Sequence, residues 1–420
     1  TDLGEVFKNN TSITSFNELS YFIGLESISD DAFWGCSNLN SIVIPDNVRR
    51  IGDRAFVNCG LTSITIPKSV EYIGNGISSC SGLSSIVVDE DNPVYDSRNG
   101  CNAIIKSETN ELISGCKTTV IPSTVTSIAQ YAFARNKELT SIVIPNSVQA
   151  IGREAFRNCD GLKTVSMPGH VTLGFEVFSL CDNLEKIYIS NLSDWCSTDK
   201  VDWITAKDTY PGYKLYVDNV EVNDLIIPNT ITSVGEESFM YCGSITSVTI
   251  PSSMNEIKGW SFFGCKNLES VSIPNTITSI GIQAFEECGS LTSITIPSSV
   301  NSIGLKAFNE CSGLTSVVIE RTRPISIDSY CFSNRANATL FVPVGSTAAY
   351  EAADYWREFK EIVEYDINVE ITMGSSGEAT YSSNFDLDFT DVEGLKAYIA
   401  SGFSPSTGKT TMTRVFKVPA

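Results

Sequence analysis

The chain is 420 residues long, and its 49 acidic side chains against 29 basic ones give a net charge of −20, so nucleic acid and anionic membrane surfaces are poor partners because little would neutralise phosphate. Apolar residues make up 42% and charged ones 19%, and no stretch approaches the ~18 uninterrupted apolar residues of a spanning helix, which excludes a disordered polyelectrolyte and a helical membrane protein. A single histidine, His170, removes any multi-histidine metal site and most Ser-His-Asp or Cys-His chemistry.

Length alone calls for two or three domains or a repeat array. The chain opens at Thr1 without a basic or apolar leader, which reads as a mature or trimmed form. A short helix is expected before the first repeat near Ile13. Residues 39–59 then read LNSIVIPDNVRRIGDRAFVNC, and the same register returns at 139–159, 268–288 and 291–311. The Ala-Phe step places phenylalanines at Phe33, Phe56, Phe133, Phe156, Phe178, Phe239, Phe262, Phe285, Phe308 and Phe332, with most steps 22 to 24 residues long. An irregular turn at Ile77 is one exception. In each unit the Leu-Thr-Ser-Ile-Thr-Ile stretch predicts a strand, with Leu291, Ile294 and Ile296 facing inward, and proline ends it because it cannot donate to a ladder. The Ser-Val and Ile-Gly steps predict a turn, and Ala-Phe-x-x-Cys predicts a short helical or 3-10 return. One unit cannot bury its own apolar side, whereas stacked units can. About a dozen rungs over one continuous parallel sheet are expected, with the phenylalanines in one buried column.

Two inserts interrupt the period, at 87–120 and 189–222. The first predicts a hairpin, with Ala103-Ile104-Ile105 facing Glu111-Leu112-Ile113. The second is rich in Trp and Tyr, and the expectation is again a hairpin. Residues 346–361 carry Tyr350, Tyr355, Trp356 and Phe359 at amphipathic spacing, which predicts a capping helix that closes a solenoid domain spanning 1–363. Residues 364–420 predict a small α+β appendix, part of a larger module, with strands around VEITM, EATYSS and MTRVFKVP and a helix at DVEGLKAYIA.

The repeat resembles the leucine-rich repeat, and specifically the BspA-like class of bacterial surface proteins. The consensus L-x-x-L-x-L-x-x-N-x-L maps onto Leu139, Ile142, Ile144 and Ser147 with a slightly compressed Val148, and the resemblance spans roughly residues 14–345. Asn47, Ser69, Ser147, Thr276 or Ser299 stands where the consensus has its ladder asparagine. The resemblance implies a right-handed solenoid and a cell-surface binding or adhesion role.

Thirteen cysteines are present. Nine share one repeat position (Cys36, Cys59, Cys80, Cys159, Cys181, Cys242, Cys265, Cys288 and Cys311), and periodic placement makes them small core hydrophobes. Cys101 and Cys116 differ: a hairpin symmetric about its turn would set them opposite one another, within reach of a disulfide. No phosphate-binding, dinucleotide-binding or zinc-protease motif occurs, no cofactor is expected, and His170 reads as a surface turn residue. Asp89, Asp91 and Asp96, with Glu90 and Asn92 beside them, are weak calcium candidates, as are Asp386, Asp388 and Asp391; neither set has the spacing of an EF-hand.

Outward strand positions such as Thr62-Ser63-Thr65, Thr140-Ser141-Val143, Thr246-Ser247-Thr249, Thr292-Ser293-Thr295 and Thr315-Ser316-Val318 make a flat hydroxyl array with few charges. Trp195, Trp203, Tyr210 and Tyr213 of the second insert, with Tyr188 on a strand, are the candidate partner-binding residues, because aromatic side chains dominate interface energetics. The expectation is a monomeric, secreted or surface-anchored, non-enzymatic binding protein for a host or matrix protein or a glycan. The alternative is a scaffold that presents the C-terminal appendix and binds nothing itself.

Overall fold

The computed structural model describes residues 2–75, 77–200, 202–204 and 212–365, together with the backbone of three strands at Asn368–Met373, Ala379–Ser383 and Arg414–Val415. The repeat winds into a parallel β-solenoid of about 15 turns with few helices. Strands from Ser41–Ile42 through Ser63–Ile66, Thr164–Met167, Ser293–Ile296 and Ser316–Ile319 to Glu361–Tyr365 form one face. Equivalent residues stand opposite each other, as Ser293 does to Ser316 and Ile294 to Val317, so apolar side chains line up along the axis.

The Ser-Ile steps, expected as turns, are a second row of two-residue parallel strands, such as Arg50–Ile51 between Ser27–Ile28 and Tyr72–Ile73. Their isoleucines are buried, and the backbone does there what it does on the main face. Neither row is continuous. Breaks fall at the inserts and also between Ser41–Ile42 and Ser63–Ile66 and between Ser270–Ser272 and Ser293–Ile296, so the single sheet expected from the repeat is a series of sheets of two to six strands.

Most returns are tight turns rather than short helices; the return at Ile77–Ser79 is the expected 3-10 turn. Left-handed residues recur four apart, as at Arg54 and Asn58, Glu154 and Asn158, Gln283 and Glu287, and Lys306 and Glu310. Such a conformation costs a non-glycine residue roughly 1–2 kcal/mol. Hydrogen bonds between turns offset that cost: Asp31, Phe33 and Gly35 donate their N–H groups to the carbonyls of Asp53, Ala55 and Val57 at 2.8–2.9 Å. A helix would have spent those groups within its own turn.

The expected phenylalanine sites are fully buried. Phe33 stacks on Phe56 at 5.6 Å, Phe133 on Phe156 at 4.8 Å, and Phe285 lies between Phe262 and Phe308 at 5.3 and 5.4 Å. The column is interrupted near Ile77, where the core also divides into two clusters. The thiols are free and buried. They do more than fill space: Cys59, Cys159, Cys181, Cys265, Cys288 and Cys311 each donate to the carbonyl of a column phenylalanine at 3.0–3.3 Å. Ser69 and Ser299, at the ladder-asparagine position, donate to the carbonyls of Val48 and Ile277 on the preceding turn at 2.7 and 2.6 Å.

The inserts depart from expectation in instructive ways. The first does form a hairpin, Ala103–Lys106 against Glu111–Gly115, but a bulge shifts its register between Leu112 and Ser114. Gly115 then stands opposite Ala103, one residue away from symmetric pairing. A one-residue slip sends side chains to opposite faces. Cys101 packs in one core cluster and Cys116 in the other, both as free thiols, so the expected disulfide does not form. The second insert is an added turn of the solenoid. Asn191 caps a short helix, Leu192–Ser197, by accepting the Asp194 N–H, and Lys214–Val217 pairs in parallel with Lys186–Ile189; only Val220–Glu221 returns as a hairpin.

At the C-terminal end the single capping helix is replaced by a short helix, Thr347–Glu351, and a 3-10 turn, Trp356–Glu358. Tyr355 takes a left-handed φ of 66°, which a helix does not accept. Trp356 sits below Phe332 at 5.7 Å, and Glu361–Tyr365 pairs with Thr339–Pro343 as a further rung. Beyond it, Ala379–Ser383 and Arg414–Val415 flank Asn368–Met373 as antiparallel strands. The expected helix at 391–400 lies outside the described residues.

Candidate functional site on the sheet face

Most outward positions of the main face carry small hydroxyl side chains, as at Ser63, Thr65 and Ser141. Val318 departs from the expected array and is buried. The five-stranded sheet around the second insert departs in the opposite direction. Its register sets Ser141, Thr164, Lys186 and Lys214 in one row, and Val143, Ser166, Tyr188, Tyr216 and Glu221 in the next. The added strand therefore doubles a lysine and a tyrosine.

Tyr188 and Tyr216 stack with ring centroids 4.6 Å apart and planes 21° off parallel, both half-buried. The Tyr216 hydroxyl donates to the Glu221 carboxylate at 2.9 Å, and the Lys214 ammonium pairs with the same carboxylate at 2.9 Å. Lys186 lies 6.0 Å from the Tyr216 ring centre. The hydrogen bond to Glu221 raises the Tyr216 phenol above its ordinary value, while Lys214 and then Tyr216 hold Glu221 below its own. The site is thus a fixed aromatic pair with ammonium and carboxylate groups at its edge. It has the components of a contact surface, namely rigid ring area at low entropic cost and polar groups that set orientation.

The other expected binding residues lie elsewhere. Trp195, Trp203 and Tyr213 are fully buried and cannot offer contact area to a partner. Trp203 occupies the column position after Phe178, 6.1 Å from it, and makes edge contacts with Trp195 and Tyr213 at 5.7 and 5.8 Å. Both indoles donate to carbonyls of the next turn, Trp195 to Ser238 at 2.8 Å and Trp203 to Glu237 at 3.1 Å. These rings fill the core of the added turn. Tyr210 lies outside the described residues. Tyr216 is the residue that sequence reasoning missed, although Lys-Ile-Tyr-Ile at 186–189 and Lys-Leu-Tyr-Val at 214–217 repeat one pattern.

The same insert buries a cation. Lys200 is fully enclosed, its ammonium donating to the carbonyls of Trp195 and Thr198 at 2.6 and 2.7 Å over the Trp195 ring. Burial pulls it down to about 7, and burial with Asp202 nearby pushes Glu237 up to about 7. Both side chains are buried inside the fold.

The calcium candidates do not assemble. Asp89 accepts the Asp91 N–H at 2.9 Å in a local turn, Asn92 bonds neighbouring backbone, and Asp96 is engaged by Arg98 at 2.6 and 2.7 Å and by Ser107. No cluster of three or more His, Cys, Asp or Glu side chains converges among the described residues. Asp386, Asp388 and Asp391 lie outside them. His170 contacts Gln149 at 3.3 Å in a surface turn.

The BspA type leucine rich repeat region matches the chain in six copies over residues 4–101, 103–197 and 212–339. The chain belongs to this family. No curated protein matches the chain. Among solved structures, a leucine-rich repeat protein of Bacteroides ovatus is similar at 23% identity over 87% of each chain, with a TM-score of 0.49. Another, of Eubacterium ventriosum, is 22% identical over 70% of this chain and 79% of its own, with a TM-score of 0.40. A leucine rich cell surface protein of Faecalibacterium prausnitzii is 24% identical over 73% of this chain and 62% of its own, with a TM-score of 0.27. No helix among the described residues is long and apolar enough to cross a membrane.

Proposed function

We propose that this member of the BspA type family is a non-enzymatic binding protein of the bacterial cell surface, and that it engages a protein or glycan partner through the sheet face centred on Tyr188 and Tyr216. One observation carries the reading: an accessible stacked tyrosine pair, braced by Lys214 and Glu221, on a face whose other outward positions are mostly small hydroxyl or aliphatic side chains. A regular solenoid presents rows of like groups and lacks the convergent polar set that catalysis needs. The secreted or anchored address rests on the resemblance to BspA-like surface proteins.

The test is a glycan and matrix-protein array probed with the parent chain and with Tyr188→Ala/Tyr216→Ala. Both rings are half-buried on a solvated face, so the variant should keep its melting temperature within a few degrees. Its affinity for every parental ligand should fall at least tenfold. The antiparallel strands beyond the last rung favour a second reading, in which the solenoid is a spacer that presents them. If the double variant binds each ligand as tightly as the parent, or the parent binds none, the spacer reading takes over.

A further inference from the structure

The opposite side of the solenoid carries a cavity whose origin is visible in the repeat. Residues 73–80 close their return in eight positions where residues 51–59 and 151–159 use nine, and Ile77 replaces the column phenylalanine. Beside this short return lies a cavity of about 510 Å³, with Arg54 from the turn before it and Tyr131 and Arg135 from the turn after the hairpin. Asn75 and Ser79 of the short return also line it, and the Ser79 hydroxyl donates to the Ala134 carbonyl at 3.2 Å.

The charges around the cavity are almost all engaged. Arg54 grips Asp31 with two hydrogen bonds at 2.7 and 3.0 Å. Arg157 pairs with Glu154 and Glu176, and Glu154 also takes Arg153. Asp53 accepts the Asn75 N–H at 3.0 Å. Arg135 is the exception. Its side chain is exposed, lines the cavity, and has no ion-pair or hydrogen-bond partner among the described residues. Its backbone is fixed by donation to the Arg157 carbonyl at 2.8 Å. In a chain of net charge −20 this guanidinium is an unspent cation in a concave site.

We propose that this cavity binds a carboxylate-bearing monosaccharide unit, with the carboxylate on Arg135 and the hydroxyls on the uncharged polar groups of Asn75 and Ser79. A guanidinium is planar and forked, which suits a carboxylate held by two parallel hydrogen bonds. The volume falls in the range of small-ligand sites. Trp34 and Tyr131 add aromatic surface of the kind that sugar rings lie against. An acidic peptide fits less well, since the flanking backbone is already used between turns. The Arg54 N–H donates to the Asn75 carbonyl and the Tyr131 N–H to the Arg153 carbonyl, so those groups are not open to an added strand.

The experiment is a saturation-transfer and chemical-shift titration of the full chain with sodium glucuronate, glucose and glucose 6-phosphate. Glucuronate should bind at least tenfold more tightly than glucose, and raised salt should weaken it. Arg135→Gln should abolish that advantage with an unchanged melting temperature, while Arg135→Lys should keep part of it. The Tyr188→Ala/Tyr216→Ala variant should bind glucuronate as the parent does, which separates this cavity from the sheet face. No glucuronate binding by the parent, equal affinity for glucose, or full affinity in Arg135→Gln would overturn the assignment. Tighter binding of glucose 6-phosphate than of glucuronate would also overturn it, in favour of a phosphate site.

Discussion

Replacing Trp203 with alanine separates a core role from a contact role. The indole is fully buried, and burying a large aromatic removes about 150–250 Å² from water, worth roughly 4–6 kcal/mol at ~25 cal/mol per Å². Measured truncations of core Trp or Phe fall at about 3–5 kcal/mol, because the cavity relaxes only in part. The variant also strips the Glu237 carbonyl of its indole partner, and a buried acceptor left unpaired costs about 1–3 kcal/mol. A total loss of about 4–8 kcal/mol is expected. A solenoid turn contacts only its neighbours, so the damage should stay local. Hydrogen exchange should therefore accelerate in residues 176–204 and 235–242 and remain at parental rates in residues 285–311. Trp203→Phe keeps ring packing but loses the donor, and should cost about half as much. Parental exchange rates throughout Trp203→Ala, combined with weakened ligand binding, would refute this account and return Trp203 to the surface.

Gly115 lies against Phe133, where the second phenylalanine run begins, and a Cβ there would overlap the ring. Gly115→Ala should destabilise the chain by about 1–3 kcal/mol in denaturant titration, as overpacked cores do, whereas Gly82→Ala meets only ordinary contacts and should be near neutral. The buried pair in the second insert predicts a pH profile. Lys200 sits at about 7 in the fold against an ordinary 10.5, so the unfolded chain holds the extra proton between those values and stability should rise with pH there. Glu237 sits at about 7 against 4.5, the folded chain holds the extra proton, and stability should fall as pH rises from 4.5 to 7. Exchange protection around residues 192–200 should therefore be lowest near pH 7. Lys200→Met should flatten the alkaline arm and Glu237→Gln the acid arm; a flat parental profile would contradict both assignments, and a monotonic one would contradict the arm that is missing.

The strand row, the phenylalanine column and the buried thiols are legible in the sequence because each repeats a side-chain type at a fixed step. What stays hidden is set by backbone geometry. Two-residue Ser-Ile strands look like turns, since they are too short for alternation to show. Left-handed returns at Arg54 or Glu154 look like helix, because those residues rarely accept positive φ without bonds from the next turn. The Cys101–Cys116 pairing fails on one bulge that no composition signals. The second insert misleads most. Aromatic residues gathered outside the period suggest a surface, yet Trp195 and Trp203 are needed inside because the insert is a whole turn with a core to fill. Its Lys-Leu-Tyr-Val strand carried that message in the same pattern as Lys-Ile-Tyr-Ile.

Both candidate sites arise where the period breaks, and the column decides which kind of site results. A strictly regular solenoid repeats one outward side chain per position and so offers gradients of like groups instead of convergent ones. At the second insert a turn is added and its core is completed, Trp203 taking the ring position between the Phe156–Phe178 stack and the turn of Phe239. The added strand stays in register with the rung before it, and the change appears outside as a doubled Tyr-Lys row. At residues 73–80 a position is lost and the ring is not replaced, since Ile77 is too small to continue the stack from Phe56. The flanking turns cannot close over a missing residue without abandoning their own inter-turn hydrogen bonds, and the difference persists as a cavity. Filling the interior yields a surface; leaving it short yields a cavity beside which Arg135 stands unpaired.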